Sequence, residues 1–86
     1  MPPQVAPKVI VLRRTLSNYG RLEPGFWRFI VGMPHLACPQ CGTVCDITDR
    51  KSQIDRQGNV RGRVECERDG CGWQEFVRLG GYEYQR

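Results

Sequence analysis

The chain has 86 residues, of which 40% are hydrophobic and 26% are charged, and it carries a formal net charge of +4. A chain of this length forms at most one domain, and its apolar core alone gives marginal stability, so a metal or disulfides are expected as reinforcement. Arg28, Gly32 and Pro34 interrupt the apolar stretch over residues 25–37, which excludes a membrane-spanning helix of about 20 apolar residues. We therefore expect a soluble protein without a membrane partner.

The N-terminal residues predict an arm followed by a strand. Residues 1–7 are rich in proline and favour an extended arm that is disordered unless it docks on a partner. Residues 8–14 are rich in β-branched side chains and predict the first strand, which ends in Arg13 and Arg14. The apolar run in this segment is short and is followed at once by the two arginines. It therefore lacks the apolar region of a signal peptide, and we expect a protein of the reducing cytoplasm.

A second strand is predicted over residues 26–31, after a turn-rich connection over residues 17–25. Trp27, Phe29 and Val31 occupy every second position of this strand, so we expect their side chains to share one buried face. Both N-terminal strands are expected to pack on the cysteine-containing half of the chain or to extend it.

The positive charge lies mainly in this N-terminal part. Residues 1–37 hold five basic side chains and one acidic side chain, whereas residues 38–86 hold eight of each. Arginine outnumbers lysine eleven to two, and guanidinium groups bind phosphate or carboxylate in a bidentate manner. Arg13 and Arg14 are therefore candidate contacts to nucleic acid. A GC-rich genome is the alternative explanation of the arginine bias.

Four of the five cysteines form two close pairs, each ending in Cys-Gly. Cys38 and Cys41 lie in CPQCG, which we call the first knuckle, and Cys66 and Cys71 lie in CERDGCGW, the second knuckle. Such turns bring two sulfurs onto one ion, and the following glycine lets the chain turn closely without a clashing Cβ. The spacing predicts one structural zinc ion held by four thiolates. A thioredoxin-like redox pair in the first knuckle would need a strand and helix context that these surroundings lack.

Two further residues near the first knuckle are alternative zinc ligands. Cys45 lies four residues after Cys41, and His35, the only histidine, lies three residues before Cys38. Because the four knuckle cysteines already satisfy zinc, Cys45 is expected to be a small buried residue and His35 a packing or solvent-facing one.

The cysteine-containing half predicts further β structure and little helix. Strand signals cover residues 43–48 and 73–79, and a long hairpin is predicted around residues 57–59. The aromatic side chains of the cysteine-containing half either stack on bases or belong to the core. The tryptophan of the second knuckle is expected to pack on the metal site. The aromatic candidates are Trp73, Phe76, Tyr82 and Tyr84.

Basic side chains surround the tip of this predicted hairpin. If its Gly-Asn pair forms a two-residue turn, Arg56 lies opposite Arg61, and Ile54 lies opposite Arg63. Like charges in such a cluster are unfavourable unless an anion is nearby, so these three arginines are candidate phosphate contacts. The equally weighted alternative is a solvated face that nearby carboxylates neutralise.

Two knuckles that clamp a small antiparallel sheet resemble a zinc ribbon, over about residues 37–79. The short spacing of the first pair and the wider spacing of the second resemble the Ogr/Delta family of phage late-transcription activators. That resemblance implies zinc binding and contact with DNA or RNA polymerase. A second resemblance, to the ribbons of transcript-cleavage elongation factors, ends at the predicted hairpin tip. Those factors carry an acidic pair there, whereas this chain has IDRQGNVRGR.

The sequence thus predicts a small, mostly-β protein, with a basic arm and β extension over residues 1–37 and a four-cysteine zinc ribbon over residues 38–86. No catalytic constellation is present, and four thiolates leave zinc no open position, so no enzyme activity is expected. The favoured function is a transcription regulator that binds nucleic acid or RNA polymerase. The alternative is a zinc-stabilised subunit of a larger assembly, such as a virion or a polymerase complex, because of the proline-rich start and the apolar GFWRFIVG segment.

Overall fold

A computed structural model describes residues 8–17 and 20–83. The proline-rich arm over residues 1–7 and the stacking candidate Tyr84 lie outside these described residues. Within this part of the chain no helix is long and apolar enough to span a membrane.

The described residues form six strands and one short 3₁₀ helix, which spans Thr48–Gln53. The prediction of a small, mostly-β protein is confirmed, and the predicted strands over residues 8–14, 26–31, 43–48 and 73–79 are each present with shorter bounds. In chain order the strands are β1 (Val9–Arg14), β2 (Phe26–Ile30), β3 (Met33–Ala37), β4 (Val44–Asp46), β5 (Asn59–Glu65) and β6 (Gln74–Leu79).

The six strands belong to one sheet, in the order β4-β3-β2-β1-β6-β5. The two knuckle hairpins, β3 with β4 and β5 with β6, are antiparallel, as expected for the ribbon. In the N-terminal extension, β1 runs parallel to both of its neighbours, β2 and β6. The short knuckles force antiparallel pairing within each of their hairpins, whereas the longer connection from β1 to β2 permits a parallel pair. The sheet also crosses the predicted boundary between residues 37 and 38, so that β1 and β2 lie between the two knuckle hairpins.

A tight turn between β2 and β3 overturns part of the predicted alternation. Val31 and Gly32 both have positive φ angles, of 51° and 75°, and the turn pairs Ile30 with Met33. Val31 is 93% exposed, so the prediction that it shares the buried face of Trp27 is wrong. The chain reverses immediately after Ile30, and residues 33–37, for which no strand is predicted, form β3 with Pro34 buried.

One face of the sheet buries the apolar core. Trp27 is fully buried, and its indole Nε1–H donates a hydrogen bond of 2.8 Å to the carbonyl oxygen of Gly80, which follows β6. This bond ties β2 to the end of β6 across the central strand. The core includes Leu12, Trp27, Leu36, Cys38, Cys45, Ile47, Ile54, Val60, Val64, Trp73, Val77 and Leu79.

The predicted pairing around residues 57–59 is also wrong. Ile54 pairs with Val60, not with Arg63, and Arg56 lies within the turn itself. The carboxylate of Asp55 accepts hydrogen bonds from the backbone N–H groups of Gln57 and Asn59, at 2.8 and 2.9 Å, which favours a wider turn than two residues. The main pairing partner of β5 is therefore β6. A 3₁₀ helix precedes Ile54, where the prediction placed the first strand of the hairpin.

Candidate metal centre and open face

Each knuckle forms the turn of an antiparallel hairpin. The first knuckle joins β3 to β4, where the backbone N–H of Cys38 donates to the carbonyl oxygen of Thr43 at 2.9 Å. The second knuckle joins β5 to β6, where the N–H of Cys66 donates to the carbonyl oxygen of Trp73 at 2.9 Å. The first cysteine of each pair is thus held by the last backbone bond of its hairpin.

The structure brings the four predicted cysteines together in one cluster. The sulfur of Cys38 lies 3.8 Å from that of Cys71, and the sulfur of Cys41 lies 3.5 Å from that of Cys66. All four sulfurs lie within 4.8 Å of one another, and all five cysteines of the chain are free thiols. Tetrahedral coordination with metal–sulfur bonds of about 2.3 Å places its sulfurs about 3.8 Å apart. The cluster therefore fits a single metal ion.

The glycine that ends each knuckle allows the chain to leave the cluster. Gly42 has a φ angle of 78° and Gly72 one of 71°, values at which a side chain is strained. A Cβ atom on Gly72 would meet nothing within 4 Å, so the backbone conformation alone requires glycine there. This agrees with the turning role that the repeated Cys-Gly step predicts.

The acidity of the thiols differs across the cluster. The hydroxyl of Thr43, whose oxygen lies 3.2 Å from the Cys41 sulfur, is the main cause that lowers the pKa of Cys41 to about 6. The backbone N–H of Arg68 lowers the pKa of Cys66, but burial and the neighbouring thiol of Cys41 outweigh it and raise that pKa to about 11. For Cys71, a backbone hydrogen bond with Trp73 lowers the pKa, but burial and the other thiols together outweigh it and raise that pKa to about 12.

The crowding of four sulfurs around one point contributes to these differences. The Cys41 thiolate forms readily because the Thr43 hydroxyl, and to a smaller extent the thiols of Cys66 and Cys71, donate to it, but each further negative charge within this radius is opposed by the first. A bound cation removes that opposition, and thiolates are the ligands that soft metal ions prefer. The cluster is thus chemically suited to a divalent metal ion that is softer than magnesium or calcium.

Contacts between the knuckles and the core support the cluster. The side-chain amide of Gln40, in the first knuckle, donates to the backbone carbonyl of Cys71 at 2.7 Å and lies 3.7 Å from its sulfur. Cys38 is fully buried in the apolar core, which also contains Trp73. The other three knuckle cysteines pack against this core. Trp73 thus belongs to the core that adjoins the cluster, and its packing on a bound metal stays a prediction.

The two alternative ligands lie outside the cluster. Cys45 is fully buried on β4, where its thiol donates to the carbonyl oxygen of Thr43 at 3.5 Å and where burial raises its pKa. The ring of His35 donates through Nδ1 to the carbonyl oxygen of Met33, at 3.0 Å, and its Nε2 lies 3.7 Å from the carboxylate of Asp46. Both residues take the packing positions that the sequence predicts.

The neighbouring arginines predicted to contact nucleic acid have different surroundings. The guanidinium of Arg14 lies over the rings of Trp27 and Phe29, at 5.5 and 5.1 Å. It also donates to the carbonyl oxygen of Gly81 at 3.0 Å and pairs with the carboxylate of Glu83 at 3.3 Å. Arg14 is thus engaged within the fold, whereas the adjacent Arg13 is exposed.

The three arginines of the predicted hairpin tip do not form the expected cluster. Arg61 and Arg63 are exposed on β5, and Arg56 lies in the turn that precedes this strand. The register of β5 shifts before Arg63, at a bulge that includes Gly62 with a φ angle of 77°. The guanidinium of Arg63 lies 5.4 Å from the ring centre of Phe76 on β6.

The side of the sheet opposite the core, which we call the open face, carries a different set of arginines. Directly paired residues lie on the same face, and the face alternates along each strand. Arg13 is paired with Phe26, Val11 with Arg78, and both Val9 and Arg63 with Phe76. On β1, β2, β5 and β6 the arginine, phenylalanine and valine side chains of the open face are Val9, Val11, Arg13, Phe26, Arg28, Arg63, Phe76 and Arg78. Ile30, Asn59, Glu65 and Gln74 share this face.

Arg28 and Arg78 are the open-face arginines that the sequence analysis missed. Arg78 lies between the buried Val77 and Leu79, so the period-two pattern of its own strand marks it as facing away from the core. Arg28 follows the buried Trp27 in the same way, and it donates to the carbonyl oxygen of Gly20 at 3.2 Å. Neither lies in a motif, so their common face becomes apparent only from the strand order.

Comparison of this chain with known protein families, curated proteins and solved structures gives no match. The resemblance to the Ogr/Delta family therefore rests on the knuckle spacing alone.

Proposed function

We propose that this chain is a zinc-ribbon protein in which Cys38, Cys41, Cys66 and Cys71 hold one structural zinc ion. Two observations support the proposal: the four sulfurs have the spacing of a tetrahedral site, and each cysteine pair forms the turn of a hairpin. Four thiolates complete the coordination of zinc and leave no position for water. We therefore propose a stabilising and not a catalytic role for the ion.

As a biochemical function we propose nucleic-acid binding, in the service of transcription regulation with DNA or RNA polymerase as the partner. The observation that carries this proposal is the row of arginines on the open face, one on each of four adjacent strands: Arg28 on β2, Arg13 on β1, Arg78 on β6 and Arg63 on β5.

The guanidinium groups of Arg13 and Arg78 are available for a ligand. Both side chains are exposed, and within the described residues neither makes a side-chain hydrogen bond or an ion pair. Val11 is paired with Arg78 and lies two residues before Arg13, which places the two arginine Cα atoms about 8 Å apart. Like charges this close repel each other, and an anion such as phosphate relieves the repulsion.

A salt titration of nucleic-acid binding tests the proposed function. Each phosphate contact steepens the dependence of log K on log salt by about 0.7 to 0.9, so Arg13→Gln with Arg78→Gln should flatten the slope by about 1.4 to 1.8. Arg56→Gln, in the turn before β5, is the control and should change the slope less. Zinc content is checked in every variant. An unchanged slope in the double variant, or no binding by the wild type at about 50 mM salt, overturns the proposal.

A second candidate function, as a subunit of a larger assembly, is favoured by the hairpin between β2 and β3. Its tip exposes the apolar side chains of Ile30, Val31 and Met33. Exposed apolar groups at one tip are typical of a protein contact. Sedimentation of the purified protein distinguishes the functions, because an assembly subunit should self-associate through this tip and Val31→Asn should weaken that association. A monomer that binds nucleic acid favours the first function.

A further inference from the structure

We infer that the open face binds single-stranded nucleic acid in preference to duplex, with bases stacked on Phe26 and Phe76. The inference rests on the nucleic-acid function proposed above and specifies the ligand of the same face. It depends on the side chains that lie between the arginines.

Two aromatic rings are half-buried on the open face. Phe76 on β6 is paired with Val9 on one side and with Arg63 on the other, and the Arg63 guanidinium lies 5.4 Å from its ring centre. Phe26 on β2 is paired with Arg13. Each ring therefore has an arginine on a neighbouring strand. The Arg63 guanidinium lies over the Phe76 ring, so a base at this position stacks on the guanidinium or displaces it onto the phosphate, whereas Arg13 is exposed beside Phe26.

The central strand supplies apolar surface between the two rings. Val9 is 48% exposed and Val11 is 59% exposed, although a solvated sheet face ordinarily carries polar side chains. A duplex keeps its bases stacked inside and presents phosphates, which Val9 and Val11 cannot bind. A single strand presents the flat faces of its bases, which gain from contact with apolar and aromatic groups. The mixed composition of the open face therefore favours single-stranded nucleic acid.

The dimensions of the face accommodate several nucleotides. Phe26 and Phe76 lie two strands apart, and their partners on β1, Arg13 and Val9, are four residues apart. With ordinary strand geometry the Cα atoms of the two phenylalanines are then about 16 Å apart. Small β modules bind about 4 to 16 nucleotides of a single strand, and this face suits the lower part of that range.

Binding of a labelled single-stranded DNA of mixed sequence, compared with a duplex of the same length, tests the inference in the zinc-loaded protein. We expect tighter binding of the single strand. Phe26→Leu with Phe76→Leu should weaken single-strand binding by about 30-fold, the product of two stacking contacts at the low end of their range, and should leave the salt slope unchanged. Phe29→Leu, which changes an aromatic residue on the opposite face, is the matched control and should have little effect on binding. Zinc content and thermal unfolding establish that each variant is folded.

The possible results separate this inference from the function on which it rests. Equal or tighter binding of the duplex, or an equal effect of the Phe29→Leu control, overturns the inference and leaves nucleic-acid binding in place. Equal affinity for poly-glutamate also overturns it, because carboxylates offer no bases to stack. No binding of either nucleic acid overturns both the inference and the proposed function.

Discussion

Cys45 and Cys41 are only four residues apart, yet their thiols have different surroundings. The thiol of Cys41 lies in the sulfur cluster, whereas that of Cys45 is buried on β4 and donates to the Thr43 carbonyl. The difference arises because β4 begins between them and turns the Cys45 side chain into the core.

Cys45→Ser should therefore retain one zinc ion per chain, because its hydroxyl can still donate to the Thr43 carbonyl. Cys71→Ser, the matched substitution within the cluster, should lose the metal, since three thiolates and a hydroxyl bind zinc far less well. Zinc content measured after dialysis checks both outcomes. Loss of zinc from Cys45→Ser with retention in Cys71→Ser would contradict the proposed ligand set.

Val31 is the one non-glycine residue of the described chain with a positive φ angle. A β-branched side chain is strained in this conformation, and asparagine before glycine is the preferred pair for such a hairpin turn. Val31→Asn should raise the free energy of unfolding by about 1 kcal/mol. Urea unfolding measures the change, with Leu16→Asn, at a residue that is 79% exposed, as the control with no expected gain. A loss of stability would show that the exposed valine side chain contributes contacts to the fold.

At the scale of elements, the 3₁₀ helix protects the edge of β5. Its Arg50 donates to the carbonyl oxygens of Arg61 and Arg63, at 2.9 and 2.8 Å. Edge strands present unpaired backbone groups to other chains, and covering them limits aggregation. One side chain here satisfies two carbonyls that have no neighbouring strand in the described sheet.

Arg50→Gln should lower the free energy of unfolding by about 1 to 2 kcal/mol, because two hydrogen bonds from a charged donor are lost at a partly exposed site. Arg68→Gln is the control, since that side chain is exposed and makes no side-chain hydrogen bond or ion pair within the described residues. Chemical denaturation gives the stabilities, and light scattering should show more self-association for Arg50→Gln alone. Equal stability of the two variants would mean that water replaces the hydrogen bonds of Arg50 at this edge without lowering the free energy of unfolding.

At the scale of the whole molecule, the sulfur cluster joins the two ends of the sheet. The first knuckle lies in the hairpin at one edge and the second knuckle in the hairpin at the other, with β2 and β1 between them. A metal ion at the cluster therefore holds together elements that are distant in both sequence and sheet order. The proposed zinc should stabilise the entire sheet because zinc that binds only the folded chain adds its binding free energy to folding.

Zinc affinity should rise steeply with pH. The raised pKa values of Cys66, about 11, and of Cys71, about 12, keep both thiols protonated near pH 7 in the metal-free protein, so zinc must displace at least these two protons. Affinity should then increase by about 100-fold or more per pH unit near neutrality, and zinc-dependent stability should be lost as the pH falls. Competition with a chromophoric chelator at several pH values measures this dependence. An affinity independent of pH would exclude thiols as the ligands.

The sequence by itself determined the features that depend on neighbouring residues. The cysteine spacing and the glycines predicted two tight turns whose sulfurs converge, and the runs of β-branched residues predicted β1 and β2. These features follow from local backbone geometry and side-chain chemistry, which act over a few residues and are the same wherever the segment lies in a fold.

Only the tertiary structure decided which strands are neighbours. A period of two assigns residues to opposite faces of a strand, but the strand order that aligns Arg13 with Phe26 and Arg78 with Val11 depends on contacts between distant segments. The pairing of Ile54 with Val60 likewise depends on Asp55, because its carboxylate accepts backbone hydrogen bonds that favour a wider turn than the predicted two-residue turn. The cysteine cluster was therefore predictable from the local spacing within each pair, whereas the open face required long-range packing.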